Sequence, residues 1–285
     1  MSTDPNFDRF VAVGGLGGSG TRVVAQILDK MGFYLGPVLN PQMDSILFTL
    51  LFKRSDWITT FPSDQDIDRI AEIFQIAMRS GVRSAFKNLD QDEAKQLFQK
   101  TRSYGVTRDW FDQIMASPPP KQKRFSGVAW KEPNTHVFLP QLLKRFPELK
   151  YIHVIRNGLD MALSGNKQQL TNWGARFGIS PNQDASSPNV QLQFWLAANK
   201  RVVEIGKTMP PGQFYLLNYD ALCADFSSEL PLIEAFLDRK LSAEDKSRFA
   251  EYIGSSSIGR FRSAPTGTFT EQERDAVRQF GFDVE

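Results

Sequence analysis

Near the amino terminus an apolar run ends in Gly14-Gly15-Leu16-Gly17-Gly18-Ser19-Gly20-Thr21-Arg22. Glycines lack the Cβ that keeps a ligand away from the backbone, so several in succession let main-chain N–H groups converge on an anion. The start of a following helix adds the positive end of its dipole, and Ser19 and Thr21 add hydroxyl donors. The chemistry implied is capture of a phosphate-like anion. Gly15 and Gly20 have the spacing of a Walker A loop, but Thr21 and Arg22 follow where a nucleoside-triphosphate enzyme needs Lys and then Ser or Thr. This argues against an ATP-driven motor or an ordinary kinase. The dinucleotide fingerprint fits poorly too, because no acidic residue ends a second strand about 20 residues on.

A second group lies mid-chain. Tyr151-Ile152-His153-Val154-Ile155-Arg156 is a strand-like run that delivers a guanidinium at its carboxyl end, the edge at which open α/β sheets bind ligands. Asn157 is placed to cap the next helix with Asp160 as capping-box partner, and Ser164 falls about two turns into that helix. Arg156 with this hydroxyl makes a second anion cradle, separate from the first. Lys131 ends another apolar strand and is a candidate source of positive charge, as is Arg22. The candidate bases for deprotonating a nucleophile are His136, Glu132 and Asp44. Each has a packing alternative: an interior histidine, a salt-bridge partner and a helix N-cap. His153, inside a buried strand, reads as structural, and Trp130, Trp173 and Trp195 read first as core.

These groups need elements to hold them. Phe10-Val11-Ala12-Val13 has the continuous apolar character of a strand buried on both faces, and Val23, Val24, Ile27 and Leu28 recur at helical spacing over 21–30. Strand-like runs return at 127–131, 150–156 and 213–218, with helical patterns at 135–146, 158–169, 190–208 and 242–252. That alternation predicts an α/β fold with right-handed βαβ units and a central parallel sheet flanked by helices. Residues 44–117 carry helical patterns at 45–52, 66–78 and 92–115 and form an all-helical insertion. Pro118-Pro119-Pro120-Lys121-Gln122-Lys123-Arg124 breaks the last of them as a solvated loop. The polar stretch 170–188 is a possible flap over a site.

Bulk properties exclude several classes. A net charge of +2, from 34 basic and 32 acidic side chains, gives no overall electrostatic footprint for nucleic acid. The single cysteine precludes an intrachain disulfide and, with two histidines, leaves no zinc spacing, so no metal is expected and a cytoplasmic location fits. No apolar stretch is long enough to span a bilayer.

The sequence resembles the PAPS-dependent sulfotransferase superfamily, whose cofactor is 3′-phosphoadenosine 5′-phosphosulfate. Gly17-Gly18-Ser19-Gly20-Thr21-Arg22 is similar to the family's 5′-phosphosulfate loop, and residues 152–164 to its 3′-phosphate motif, with Arg156 and Ser164 in the two matching positions. Lys131-Glu132-Pro133 is similar to a Lys-x-Pro segment, and Tyr219-Asp220-Ala221-Leu222 to the element after the last core strand. Ser255-Ser256-Ser257-Ile258-Gly259-Arg260-Phe261-Arg262 resembles the loop that closes over the nucleotide, here within about 254–270. One departure stands out: relatives usually carry Lys or Arg where this chain has Gly18. The resemblance implies a P-loop NTPase-like three-layer sandwich, a single sulfotransferase-like domain over 1–285, with Arg260 and Arg262 on the nucleotide. It implies sulfuryl transfer to a hydroxyl or amine of a small-molecule, glycan, lipid or peptide acceptor, without a metal. A P-loop small-molecule kinase and a nucleotide-binding module without turnover are the alternatives.

Overall fold

The computed structural model describes residues 7, 9–89, 91–253 and 258–285. They fall into two compact units: one holds residues up to Gly14 and Arg22–Tyr151, the other Gly15–Thr21 and Ile152–Glu285. The fold is α/β, with one five-stranded parallel sheet in the order β2-β3-β1-β4-β5. The reordered sequence of strands is what helical crossovers between parallel strands produce.

In the first unit, β1 (Phe10–Gly15) is buried along its whole length, as its apolar run requires. Helix α1 (Thr21–Lys30) follows, with Val23, Val24, Ile27 and Leu28 all buried. After the two-residue β2 (Phe33–Tyr34) the described residues form helices α2 (Ile46–Phe52), α3 (Ser55–Thr59), α4 (Asp64–Ser80), α5 (Val82–Ala85), α6 (Gln91–Thr101) and α7 (Arg108–Ala116), the expected insertion. Two local corrections apply there. Ser45, not Asp44, is the N-cap of α2. The pattern at 92–115 is two helices, because Gly105 turns into the left-handed region at φ 103° and Thr107 caps a new start. The unit continues with β3 (Gly127–Lys131), α8 (Leu139–Arg145) and the start of β4 (Lys150–Ile155).

The second unit adds α9 (Gly158–Ala162), α10 (Gln168–Trp173), α11 (Pro188–Thr208), β5 (Phe214–Asn218), α12 (Tyr219–Ala224), α13 (Phe226–Leu237), α14 (Ala243–Tyr252) and α15 (Glu271–Arg278). The single helix expected at 158–169 is two short ones, so Ser164 lies just beyond the end of α9 rather than inside it. The described residues from 258 onward contain α15, and Phe282 and Val284 after it are buried. The stretch 170–188 holds the end of α10 and a 3-10 turn, Gly174–Phe177. Among the described residues no helix is long and apolar enough to cross a membrane.

Each unit has its own core. In the first, the Trp130 indole on β3 meets the rings of Phe74 at 5.2 Å and Phe146 at 5.5 Å, while Phe48 stacks on Phe52 at 4.3 Å. The indole N–H is spent on the Thr135 hydroxyl at 3.2 Å, so the ring is buried at no polar cost. In the second, Trp195 takes the edge of Phe280 at 5.0 Å among Leu159, Leu192 and Ile155. Truncating such a ring leaves a cavity as well as lost contacts. Trp130→Ala is expected to lower unfolding stability by about 3–5 kcal/mol in urea denaturation; a loss below about 1 kcal/mol contradicts the described core.

Candidate active site

The second unit carries the glycine loop. β1 ends, the chain turns through 15–20, and α1 begins at Thr21 with its first N–H groups facing the turn. The Ser19 N–H donates to the Leu16 carbonyl at 3.0 Å, closing the turn. The Ser19 hydroxyl is 2% exposed and meets no protein partner. A buried hydroxyl in that condition beside a helix start is what an anion site requires. Gly20 has φ 97°, and a Cβ there would meet the Tyr219 ring at 2.1 Å, so the ring lies directly on the backbone and only glycine fits. Arg22 points outward on α1 and is exposed.

Arg156 and Ser164 come to the same loop. The Arg156 guanidinium donates to the Gly18 carbonyl at 3.3 Å, and the Ser164 hydroxyl is 3.9 Å from where a Gly18 Cβ would stand. The two cradles expected to be separate thus adjoin at Gly18. The loop's φ of 98° at this position strains any other residue type, which is a conformational reason for glycine there. The Arg156 carbonyl is fixed by the Trp195 indole N–H at 3.1 Å, and its guanidinium stands 5.9 Å from the centre of the Tyr219 ring.

Asn157 caps α9 as expected, accepting from the Leu159 N–H at 2.9 Å. Asp160 is not its capping-box partner. Its carboxylate, wholly buried, accepts from the Gly259 N–H at 2.7 Å and the Phe261 N–H at 3.0 Å, and stands 3.8 Å from Arg156. Asp160 therefore ties the loop carrying Arg260 and Arg262 to the end of β4. Arg262 itself binds the Asp283 carboxylate at 2.5 Å and the Glu285 carbonyl at 2.7 Å. Arg260 is half-buried, and Ser255, Ser256 and Ser257 of the expected closing loop lie outside the described residues.

The first unit holds the other candidates. Lys131, buried at the end of β3, pairs with the Asp44 carboxylate and donates to the Gln42 carbonyl at 3.1 Å. Asn40 holds the second Asp44 oxygen at 2.9 Å. Glu132 caps the 3-10 turn Pro133–Val137, with its two oxygens accepting the Asn134 N–H at 2.6 Å and side-chain amide at 2.8 Å. Burial pushes the Glu132 carboxyl upward, against the attraction of Lys53. His136 is fully buried within that turn. In the second unit, His153 is buried on β4 against the Asn199 side chain at 2.8 Å, and burial brings it down to about 4, so it stays neutral.

Gln169 escaped the sequence reading, and Asp220 was named there only within Tyr219–Leu222, with no role of its own. Gln169 binds the glycine loop on both sides, accepting the Gly17 N–H at 3.1 Å and donating to the Gly15 carbonyl at 3.3 Å. An amide in a polar stretch has no diagnostic spacing, so nothing in the sequence marks it. Asp220, after Tyr219, accepts the Asn157 N–H at 3.3 Å. Its carboxyl is pushed up to about 6 by burial and by Asp160, with Arg156 and the Asn157 N–H pulling the other way. A carboxyl raised in the folded state contributes stability in its protonated form, full below its unfolded value of about 3.9 and lost as pH rises through about 6. The wild-type melting temperature is therefore expected to fall relative to Asp220→Asn as pH goes from about 4 to about 7. The differential is about 1 kcal/mol after allowance for solvent screening of a partly exposed group. Parallel pH profiles contradict it.

Comparison with known proteins places this geometry. The sulfotransferase family profile matches residues 11–243, most of the chain. Among solved structures, the chain is similar to the sulfotransferase domain from the curacin biosynthetic pathway, at TM-score 0.53 and 13% identity, covering 100% of both chains. It is similar also to the sulfotransferase domain of the olefin synthase of Synechococcus PCC 7002, at TM-score 0.51 and 14% identity, covering 100% of this chain and 98% of that one. At such identities the likeness speaks to fold alone. No curated protein matches. The family match spans β1, the glycine loop, Lys131 and Arg156 together, and on it the chain belongs to the sulfotransferase family.

Proposed function

We propose that this chain moves a sulfuryl group from 3′-phosphoadenosine 5′-phosphosulfate to a hydroxyl or amine acceptor in the cytoplasm. The observation that carries the reading is the meeting of two donor sets at Gly18: the helix-start amides with the buried Ser19 hydroxyl, and Arg156 with Ser164. A ligand with anionic groups at both ends of one nucleoside matches that arrangement, and Thr21 and Arg22 leave no Walker lysine for a triphosphate. The lone Cys223 suits a reducing compartment.

The loop amides, Ser19 and Thr21 hold the 5′ end, Arg156 and Ser164 the 3′ phosphate, and Arg260 stands in the loop tied down by Asp160. When bound, the nucleotide supplies the sulfuryl group. The chain's work is to align the groups, neutralise charge on the transferring oxygens and accept the acceptor's proton. Asp44 suits the last role best. Its side chain is 19% exposed and oriented by Lys131 and Asn40, whereas Glu132 is 3% exposed with both oxygens spent on Asn134, and His136 is sealed in the interior. Lys131 then supplies positive charge beside the base.

Two outcomes are expected. At about 100 times its Kd, 3′,5′-adenosine bisphosphate raises unfolding stability by about 2.7 kcal/mol, and ATP with magnesium leaves it unchanged. Stabilisation by ATP with magnesium alone points instead to the kinase reading. Asp44→Asn is expected to lower kcat by about 10²–10⁴ with bisphosphate affinity intact; an unchanged kcat removes Asp44 from the role of base.

A further inference from the structure

The glycine loop is held in shape by a neutral side chain from outside it. Gln169, 7% exposed at the start of α10, uses one planar carboxamide for two bonds: Nε2 donates to the Gly15 carbonyl at 3.3 Å and Oε1 accepts the Gly17 N–H at 3.1 Å. Between these points the Leu16 carbonyl accepts the Ser19 N–H at 3.0 Å. The peptide joining Leu16 and Gly17 is thereby fixed at both ends, its N–H by Gln169 and its C=O by Ser19.

A loop of this composition needs such a restraint. Glycine backbones rotate cheaply through both signs of φ, and one flipped peptide turns a carbonyl oxygen, rather than an N–H, toward a bound anion. The flip converts attraction into repulsion. A basic side chain at position 18 would offset a misdirected carbonyl, and this chain has none there. Gln169 is itself well placed to act as a fixed brace. It borders a small cavity beside Gly17 that is apolar toward Leu16, Phe194 and Trp195 and is also lined by Asn166 and Gln191. At 7% exposure a carboxamide that let go of the loop would forfeit two backbone hydrogen bonds at once, which favours the bonded arrangement.

We propose that Gln169 is a positioning residue for the 5′ end of the nucleotide: it sets the peptide planes of the loop while both its polar atoms stay on the backbone and off the ligand. This rests on the anion-cradle reading above, and the test separates the two. Gln169→Met keeps the bulk and removes both bonds. Gln169→Glu keeps the acceptor for Gly17, loses the donor to Gly15 and adds a negative charge. The full-length wild type and both variants are titrated calorimetrically with adenosine 5′-monophosphate and, separately, adenosine 3′-monophosphate.

A brace for the loop predicts a selective loss. Gln169→Met weakens the 5′-monophosphate about tenfold and the 3′-monophosphate less than about twofold. That tenfold corresponds to about 1.4 kcal/mol, the scale of one hydrogen bond to a charged group. Gln169→Glu weakens the 5′-monophosphate further, and the excess shrinks as salt is added. A residue that merely supports the fold lowers both affinities alike, and equal losses, or none, overturn the proposal; either variant alone suffices for this comparison. A wild type that binds neither nucleotide overturns the cradle reading, and the proposal with it.

Discussion

The Arg156 guanidinium sits 5% exposed at the end of β4, and the second unit is organised around that fact. A buried cation without partners costs several kcal/mol, so the fold must surround it with acceptors. Arg156 has the Gly18 carbonyl, the Asp160 carboxylate and the face of Tyr219 about it, and its own carbonyl is anchored by Trp195. Each partner then constrains something else. Trp195 leaves no room for a Cβ at Gly158, which would come within 2.9 Å of the ring, and Tyr219 imposes the same on Gly20. The cradle and the core of this unit are one packing solution.

The carboxyl end of the chain enters the same arrangement. The Asn157 side-chain amide donates to the Asp283 carbonyl at 2.7 Å, Arg262 grips the Asp283 carboxylate, and Phe280 and Phe282 pack on Trp195. Asp160 adds the two N–H groups of Gly259 and Phe261. On the proposed function, an anion at Arg156 would meet a guanidinium already compensated by Asp160, which also holds the neighbouring loop in register. In the first unit the logic repeats with opposite roles: the cation Lys131 is buried, and Asp44, more exposed, is the group it orients.

What was legible in the sequence was what is local. The run of β1, the glycines and the 3.6-residue pattern of α1 each carry their signal within ten residues, and the structure matches them there. Arg156 at a strand end was legible for the same reason. Ser164 was misplaced because Leu163 continues the apolar pattern of Met161 and Ala162 past the point where α9 stops, and helical periodicity cannot see the end of so short a helix. Helix α13 was missed because Phe226–Leu237 is apolar on most faces and contains Pro231, while α15 was missed because Glu271–Arg278 is polar on most faces. Helix α13 thus presents no clear stripe, and α15 buries only Val277. Asp160 as a tether and Gln169 as a brace depend on partners 99 and 152 residues away, which no window of sequence holds.

The central claim is that the glycine loop and Arg156 form one two-anion cradle. A crystal structure of the chain with 3′,5′-adenosine bisphosphate tests it most directly. The 5′-phosphate is expected against the N–H groups at the start of α1 and the Ser19 hydroxyl, with Arg156 giving up the Gly18 carbonyl for the 3′-phosphate. A nucleotide bound away from the loop, or one whose 3′-phosphate leaves the Arg156 bond to Gly18 in place, contradicts it.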